Sequence, residues 1–165
     1  LNKLISTNKK FWTKQHIDKA KKLKLTKHEI VTLASIIEGE AIYDNERAKI
    51  SAVYHNRLNI DMKLQADPTI QYIISDSPRR LLNRDLKIKS PYNTYQNKGL
   101  PPGPINSPSK SSLIAALYPE KNDFIYFVAN GDGYHTFSTN EKDHNRAKRK
   151  LQKIRRKIRR EKNTK

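Results

Sequence analysis

Apolar residues recur at three- and four-residue spacing through Ile30, Leu33, Ala34, Ile37 and Ala41, and this period predicts an amphipathic helix. Thr26, followed three residues on by Glu29, is a capping box that starts it. A basic helix over residues 10–24 is predicted before it, with Phe11, Trp12, Ile17, Ala20 and Leu23 as its apolar positions. After it, Asp44 or Asn45 caps a further helix whose inner face is Ile50, Val53, Tyr54 and Leu58. Leu64-Gln65-Ala66 reads as a short strand. Asp67-Pro68-Thr69 reads as a helix start, with Asp as cap and Pro at the first position, leading a short helix through Tyr72 and Ile74.

The period is lost over residues 75–90, a polar and basic stretch expected to form a loop with one helical turn. Residues 90–108 are rich in Pro, Gly, Asn and Tyr and predict a long ordered loop, a kind of segment that usually carries function. Ser107-Pro108 starts a helix through Leu113, Ile114, Ala116 and Leu117, stopped before Pro119. Phe124 to Val128 reads as a buried strand, Asn130-Gly131-Asp132-Gly133 as a hairpin turn, and Tyr134 to Phe137 as the return strand. Ser138 and Glu141 form a second capping box, and a long basic helix then runs to the end with Leu151, Ile154 and Ile158 as a thin apolar seam. Helices, one hairpin and a final helix make an α+β fold: a mainly helical domain with a small β-hairpin and a long ordered Pro/Gly/Tyr loop.

Charge changes the picture only in the flanks. The formal charge of +18 would suit a basic nucleic-acid-binding module. Residues 1–30 carry nine Lys against two acids, and residues 141–165 carry thirteen Lys/Arg against three acids. Residues 31–140 carry twelve Lys/Arg against eleven acids, so the patterned centre is nearly neutral and no nucleic-acid partner is expected. The basic flanks suit an anionic membrane or wall polymer instead. There is no Cys, and no stretch reaches the roughly 18 apolar residues of a membrane-spanning helix. The chain starts at Leu1, and any membrane anchor is expected upstream of it.

The candidate chemistry centres on Glu38, which ends an apolar helical run. An acid in such surroundings is expected to have a raised pKa and to serve as a proton donor to a glycosidic bond. Glu40 is expected on another side of the helix, in solvent or paired with Arg47 or Lys49. Asp67 is either a helix cap or a second carboxylate for hydrolysis. Asn56-Arg57 either binds polar substrate groups or caps its helix. Tyr92-Asn93-Thr94-Tyr95 offers the aromatic faces and hydrogen-bonding groups that sugar binding needs, or packs against the domain. His135 reads as structural on spacing alone. No metal spacing and no phosphate-binding glycine loop occurs, so no metal or other cofactor is expected.

Several segments together carry a resemblance: Phe11-Trp12, Leu33 to Ala41, Glu46-Arg47, Asn56-Arg57-Leu58, Leu64 to Thr69, Ser90 to Gly103, Ala129-Asn130-Gly131, His135-Thr136-Phe137 and His144-Asn145. In this order and spacing the chain resembles the YceG-like, or MltG, family of endolytic murein transglycosylases. Leu-Gln-Ala-Asp-Pro-Thr, Ser-Pro-Tyr-Asn-Thr-Tyr and Gly-Leu-Pro-Pro-Gly-Pro in combination are its most specific part. Residues 75–89 and the very basic run from Leu151 to Lys165 depart from the pattern.

The resemblance implies a YceG-like catalytic domain over residues 1–150, a basic helical tail over 151–165, and an N-terminal anchor and LysM-like subdomain outside this chain. It implies Glu38 as the catalytic acid and base. The activity it implies is cleavage of the bond between N-acetylmuramic acid and N-acetylglucosamine within glycan strands, leaving 1,6-anhydro ends. A muramidase using Asp67 and water is the nearest alternative, and a basic nucleic-acid-binding module the alternative from another class. Candidate substrate contacts are Asn56, Arg57, Gln65, Asp67, Thr69, Tyr92, Asn93, Thr94, Tyr95 and His135. Expected partners are peptidoglycan strands and cell-wall synthases, at the outer face of the cytoplasmic membrane.

Overall fold

The computed structural model describes residues 10–163, apart from the side chains of residues 157–159 and 161–163. The architecture is α+β: among the described residues six helices lie between Lys14 and Asn163, with one antiparallel hairpin. The first helix, α1, spans Lys14–Lys22. It starts later than its apolar pattern suggests because Thr13 caps it, accepting from the His16 N–H at 3.3 Å. Phe11 and Trp12 therefore stand ahead of it, edge to face with each other and packed against the core.

Helix α2, Lys27–Glu40, is the centre of the molecule. Its capping box forms as expected: Thr26 Oγ1 accepts from Glu29 N at 3.2 Å, and Glu29 Oε2 accepts from Thr26 N at 2.7 Å. Seven of its fourteen residues are buried on several sides, Thr32 and Ser35 among them, because neighbours enclose it all round. Helix α3, Asp44–Asn59, lies against it through Ile50 and Tyr54. Neither Asp44 nor Asn45 caps α3. Tyr43 occupies the cap position without a side-chain bond, and Asp44 bonds Arg47 at 2.7 Å.

Leu64-Gln65-Ala66 is not a strand. Gln65 has a φ of 51°, which breaks extended pairing, and its N–H donates to Thr94 O at 3.1 Å. Helix α4, Asp67–Ile73, is capped by Ala66 rather than Asp67, which leaves the Asp67 carboxyl available for other work. A short 3-10 turn, Asp85–Lys87, interrupts residues 75–90, where Arg79 clamps Asp85 with bonds of 2.7 and 2.9 Å. The loop over residues 90–108 has no helix or strand, yet Asn93 and Thr94 are buried in it.

Helix α5, Lys110–Leu117, packs on α2 and α3. It starts two residues later than predicted, because Ser109 is the side chain that caps it. Strands β1, Tyr126–Ala129, and β2, His135–Ser138, pair with Phe127 opposite Phe137. Gly131 and Gly133 take φ values of 100° and 93° in the turn. Helix α6, Glu141–Asn163, then crosses the hairpin. Its cap is Asn140, which accepts from Asp143 N at 2.9 Å; Ser138 is buried in β2 with its hydroxyl unbonded. The helix runs unbroken through residues 150 and 151, and Leu151 is 8% exposed beside Gly131. Ile154 is 36% exposed, so the apolar seam thins after one turn; the Ile158 side chain lies outside the described residues. No described helix is long and apolar enough to cross a membrane.

Candidate active site

The C-terminal end of α2 and the N-terminal end of α4 meet at Gly39. A Cβ at this position would lie 2.6 Å from Pro68 Cβ, so only Gly lets the two helix ends come this close. The approach brings Glu40, the last residue of α2, and Asp67, the first of α4, to one cavity. Tyr54, fully buried on α3, donates its hydroxyl to Glu40 Oε1 at 2.8 Å. Burial pushes the Glu40 carboxyl up, and the charge of Asp67 adds to this; the Tyr54 bond and Arg57 oppose it only in part. The outcome is a pKa of about 7.

Asp67 is held in turn. Tyr95 donates its hydroxyl to Asp67 Oδ1, and burial together with the Asp67 charge raises the Tyr95 pKa, so the phenol keeps its proton. Tyr95 is placed by the loop behind it. Asn93 donates to Leu86 O and Ile88 O at 3.2 and 2.7 Å and accepts from Tyr95 N at 2.9 Å. Thr94 Oγ1 accepts from Ala66 N at 3.0 Å and lies 2.9 Å from Thr69 Oγ1. These bonds join residues 93–95 to residues 65–69, which fixes Tyr95 over Asp67.

Two cavities of about 450 Å³ each share Glu40 and Asp67. The first is walled by Arg57, Leu64, Gln65 and Tyr95 on one side and by Phe127, Val128, Ala129 and His135 of the hairpin on the other. Helix α6 supplies its third wall with His144, Lys148, Leu151, Gln152 and Arg155. The second lies between Gly39, Pro68, Gln71, Tyr72, Ile105 and Asn106. Tyr72, half exposed, tilts against Tyr92 there with ring centroids 4.9 Å apart. Each volume lies within the range of small-ligand sites, and the two carboxyls line both.

Glu38 stands in different surroundings. Its Oε2 accepts from Ser109 N at 3.0 Å, Ser109 Oγ at 2.6 Å, Ser112 Oγ at 2.7 Å and Arg47 Nη1 at 3.2 Å. Burial alone would raise its pKa. The Ser109 and Ser112 bonds and the Arg47 charge outweigh that and hold it below the ordinary carboxylate value. The expected rise is thus overturned, because every donor around Glu38 favours the charged form. Glu38 lines neither cavity that Glu40 shares; it ties the end of α2 to the capped start of α5.

The sequence profile of the YceG-like family matches residues 1–150. The chain belongs to the YceG-like family. It is 48% identical over 130 residues to a Bacillus subtilis protein named endolytic murein transglycosylase, a match covering 79% of this chain and 36% of that protein. A Streptococcus pneumoniae protein of the same name is 38% identical over 128 residues, covering 74% of this chain and 23% of the relative. The chain thus spans well under half the length of these curated relatives. A crystal structure of a yceG-like protein from Listeria monocytogenes superposes with a TM-score of 0.73 at 44% identity, over 81% of this chain and 43% of that one.

Within this YceG-like fold the candidate contact residues separate into two groups. Arg57, Gln65, Asp67, Tyr95 and His135 line the first cavity. Arg57 spends its donors on Ile125 O, Leu64 O and Lys63 O, and His135 Nδ1 donates to Glu46 Oε2 at 2.8 Å. Asn56, Thr69, Asn93 and Thr94 lie inside the protein's own network: Asn56 donates to Asn122 O and Phe124 O, both at 2.9 Å. Tyr92 reaches the second cavity only through Tyr72.

Sequence reasoning assigned Glu40 to solvent or to Arg47 and Lys49, and the structure corrects this: Glu40 bonds Tyr54 and faces both cavities. The α6 wall was also missed, although Lys148, Gln152 and Arg155 stand at four- and three-residue spacing on one helix face. Among the described residues no three His, Cys, Asp or Glu gather as a metal site.

Proposed function

We propose that this chain cuts the glycosidic bond between N-acetylmuramic acid and N-acetylglucosamine inside peptidoglycan strands, as an endolytic lytic transglycosylase leaving 1,6-anhydro ends. The names of the Bacillus and Streptococcus relatives support the substrate and the reaction class. The observation that carries the reading is Glu40, an acid about half protonated at neutral pH, standing where two open cavities meet. A proton donor at such a junction suits a strand that continues on both sides of the broken bond. A closed pocket would suit a strand end.

Glu40, rather than Glu38, is the acid in this reading. It donates its proton to the glycosidic oxygen as the bond from that oxygen to C1 breaks and positive charge develops on the muramyl ring. Asp67, held by Tyr95, lies beside the ring and its carboxylate stabilises that charge. Glu40, now a carboxylate, takes the proton of the muramyl 6-hydroxyl, whose oxygen closes on C1. One proton leaves with the departing sugar, one returns to Glu40, and no water is consumed. Tyr54 holds Glu40 Oε1 throughout. Gln65, Tyr95 and His135 contact the strand in the first cavity, and Tyr72 offers a ring face to a sugar in the second. On this reading the chain works in the cell envelope, at the outer face of the cytoplasmic membrane, and ends nascent strands beside the cell-wall synthases.

Asp67 in the same cavity as Glu40 also suits a muramidase that activates water. Mass spectrometry of strands digested by the purified chain separates the two. Anhydro ends, lighter by one water, are expected. Reducing muramic acid ends alone would make Asp67 the base of a hydrolase.

A further inference from the structure

One wall of the first cavity is cationic, and the proposed bond-breaking step does not use it. Lys148 and Arg155 project from α6 into the lining, with Gln152 between them, across from Glu40 and Asp67. Both cations are exposed, and among the described residues neither pairs with a carboxylate within 4 Å. Another cation of α6, Arg146, pairs with Asp143 at 3.5 Å in an exposed position. In a peptide-bearing strand the sugars carry no charge, because each muramyl lactyl carboxyl is tied up in the amide to its peptide. Two unpaired cations beside the bond to be cut therefore have no partner on the sugar backbone. Carboxylates enter with the peptide substituents that muramyl residues carry on their lactyl group. The peptide amide bonds add donors and acceptors that match the side-chain amide of Gln152.

We propose that the Lys148–Gln152–Arg155 face of α6 is a subsite for the peptide substituent of the strand, Lys148 and Arg155 receiving its carboxylates, so that the chain selects peptide-bearing over denuded glycan. The inference rests on the glycan-cleaving reading for the position of the strand. Leu151, packed on the hairpin from the neighbouring side of the helix, fixes the rotation of α6 that turns these three residues to the cavity. Charge steers the peptide, and the chemistry stays with Glu40.

The test compares uncross-linked strands with the same strands stripped of peptide by an amidase and then capped as the methylamide at the lactyl carboxylate that the amidase leaves. Wild type is expected to show a KM about tenfold lower on the peptide-bearing strands, as two exposed charge contacts supply. Lys148→Gln with Arg155→Gln raises that KM to the denuded value and leaves kcat, the denuded KM and Tm unchanged. The charge-conserving pair Lys148→Arg with Arg155→Lys keeps the preference. Equal effects on both substrates, or none, overturn the proposal. Retention of the two strand types by Glu40→Gln protein, with and without the paired Gln changes, gives a readout free of turnover. If wild type cuts neither strand but Glu40→Gln protein prefers peptide-bearing strands through Lys148 and Arg155, the reaction is misread and the subsite stands. A glycerol-phosphate polymer that binds through these two residues, with no peptide preference in either assay, assigns the wall to phosphate and overturns the subsite.

Discussion

Glu38 and Glu40 are two residues apart on α2, so their side chains leave the helix on nearly opposite sides. Replacement by Gln separates their roles. Glu40→Gln keeps the shape and removes the proton, and kcat is expected to fall by about 10²- to 10⁴-fold in a folded protein. Glu38→Gln leaves Arg47 and the two serines short of a charged acceptor and is expected to cost about 1–2 kcal/mol of stability, discounted for the 27% exposure of the Glu38 side chain. Turnover below its lowered Tm stays within a few-fold of wild type. Strand-cleavage rates and thermal melts of both variants check this, and the opposite pattern would return the acid role to Glu38.

The pH response of Glu40 has a defined sign. Its folded pKa, about 7, lies above the ordinary value of 4.5, so the folded chain holds the proton more tightly than the unfolded chain. The associated stability is complete below about 4.5, declines as pH rises toward 7, and is lost above it. The Tm of wild type relative to Glu40→Gln should fall across that window, and kcat/KM should fall above pH 7 as the donor ionises. A Tm difference that stays constant from pH 4 to 8 would mean Glu40 titrates elsewhere. At this scale the apolar run before Glu38 predicts a raised pKa at that residue, and the rise falls on Glu40 instead. The run did not tell which carboxyl, because the partners that decide it lie on α3, α4 and α5.

Between elements, the junction of α2 with α4 is the sensitive point. Gly39→Ala would gain the ordinary helix preference for Ala, about 1 kcal/mol, in an open setting. Here the new Cβ meets the rigid Pro68 ring at 2.6 Å, so α4 must shift. The expected outcome is a net loss of about 1–3 kcal/mol and a fall in kcat as Asp67 moves from Glu40. A more stable variant with unchanged kcat would show that the close approach has no part in the site. Elements whose signals are local were legible in the chain: the Thr26–Glu29 box, the hairpin turn and the stop before Pro119 all appear. Those set by distant partners were not. Leu64 to Ala66 loses its strand form to Thr94, and Asn140 takes the cap expected of Ser138.

Across the whole molecule, the positive charge is concentrated in the terminal flanks while the carboxyls of the site lie near the middle. Helix α6 joins the two, anchored at Leu151 and lining the first cavity from His144 to Arg155. Raising the salt concentration shortens the screening length from about 10 Å at 0.1 M to about 3 Å at 1 M. The KM for peptide-bearing strands is therefore expected to rise several-fold over that range, with kcat unchanged. A salt-independent KM would show that the basic flanks do not guide the substrate.

The chain by itself determined the α+β class, the order of the helices and the hairpin, the capped central helix and the family, since each rests on short-range spacing or on motifs kept in order. Tertiary structure decided which Glu faces the cavity. Helical period places Glu38 and Glu40 on different sides but does not say what covers either side. Ser109, Ser112 and Arg47 arrive around one and hold it charged. Tyr54 and Asp67 arrive around the other, where burial keeps the proton on, and a pKa is set by those neighbours rather than by position along the chain.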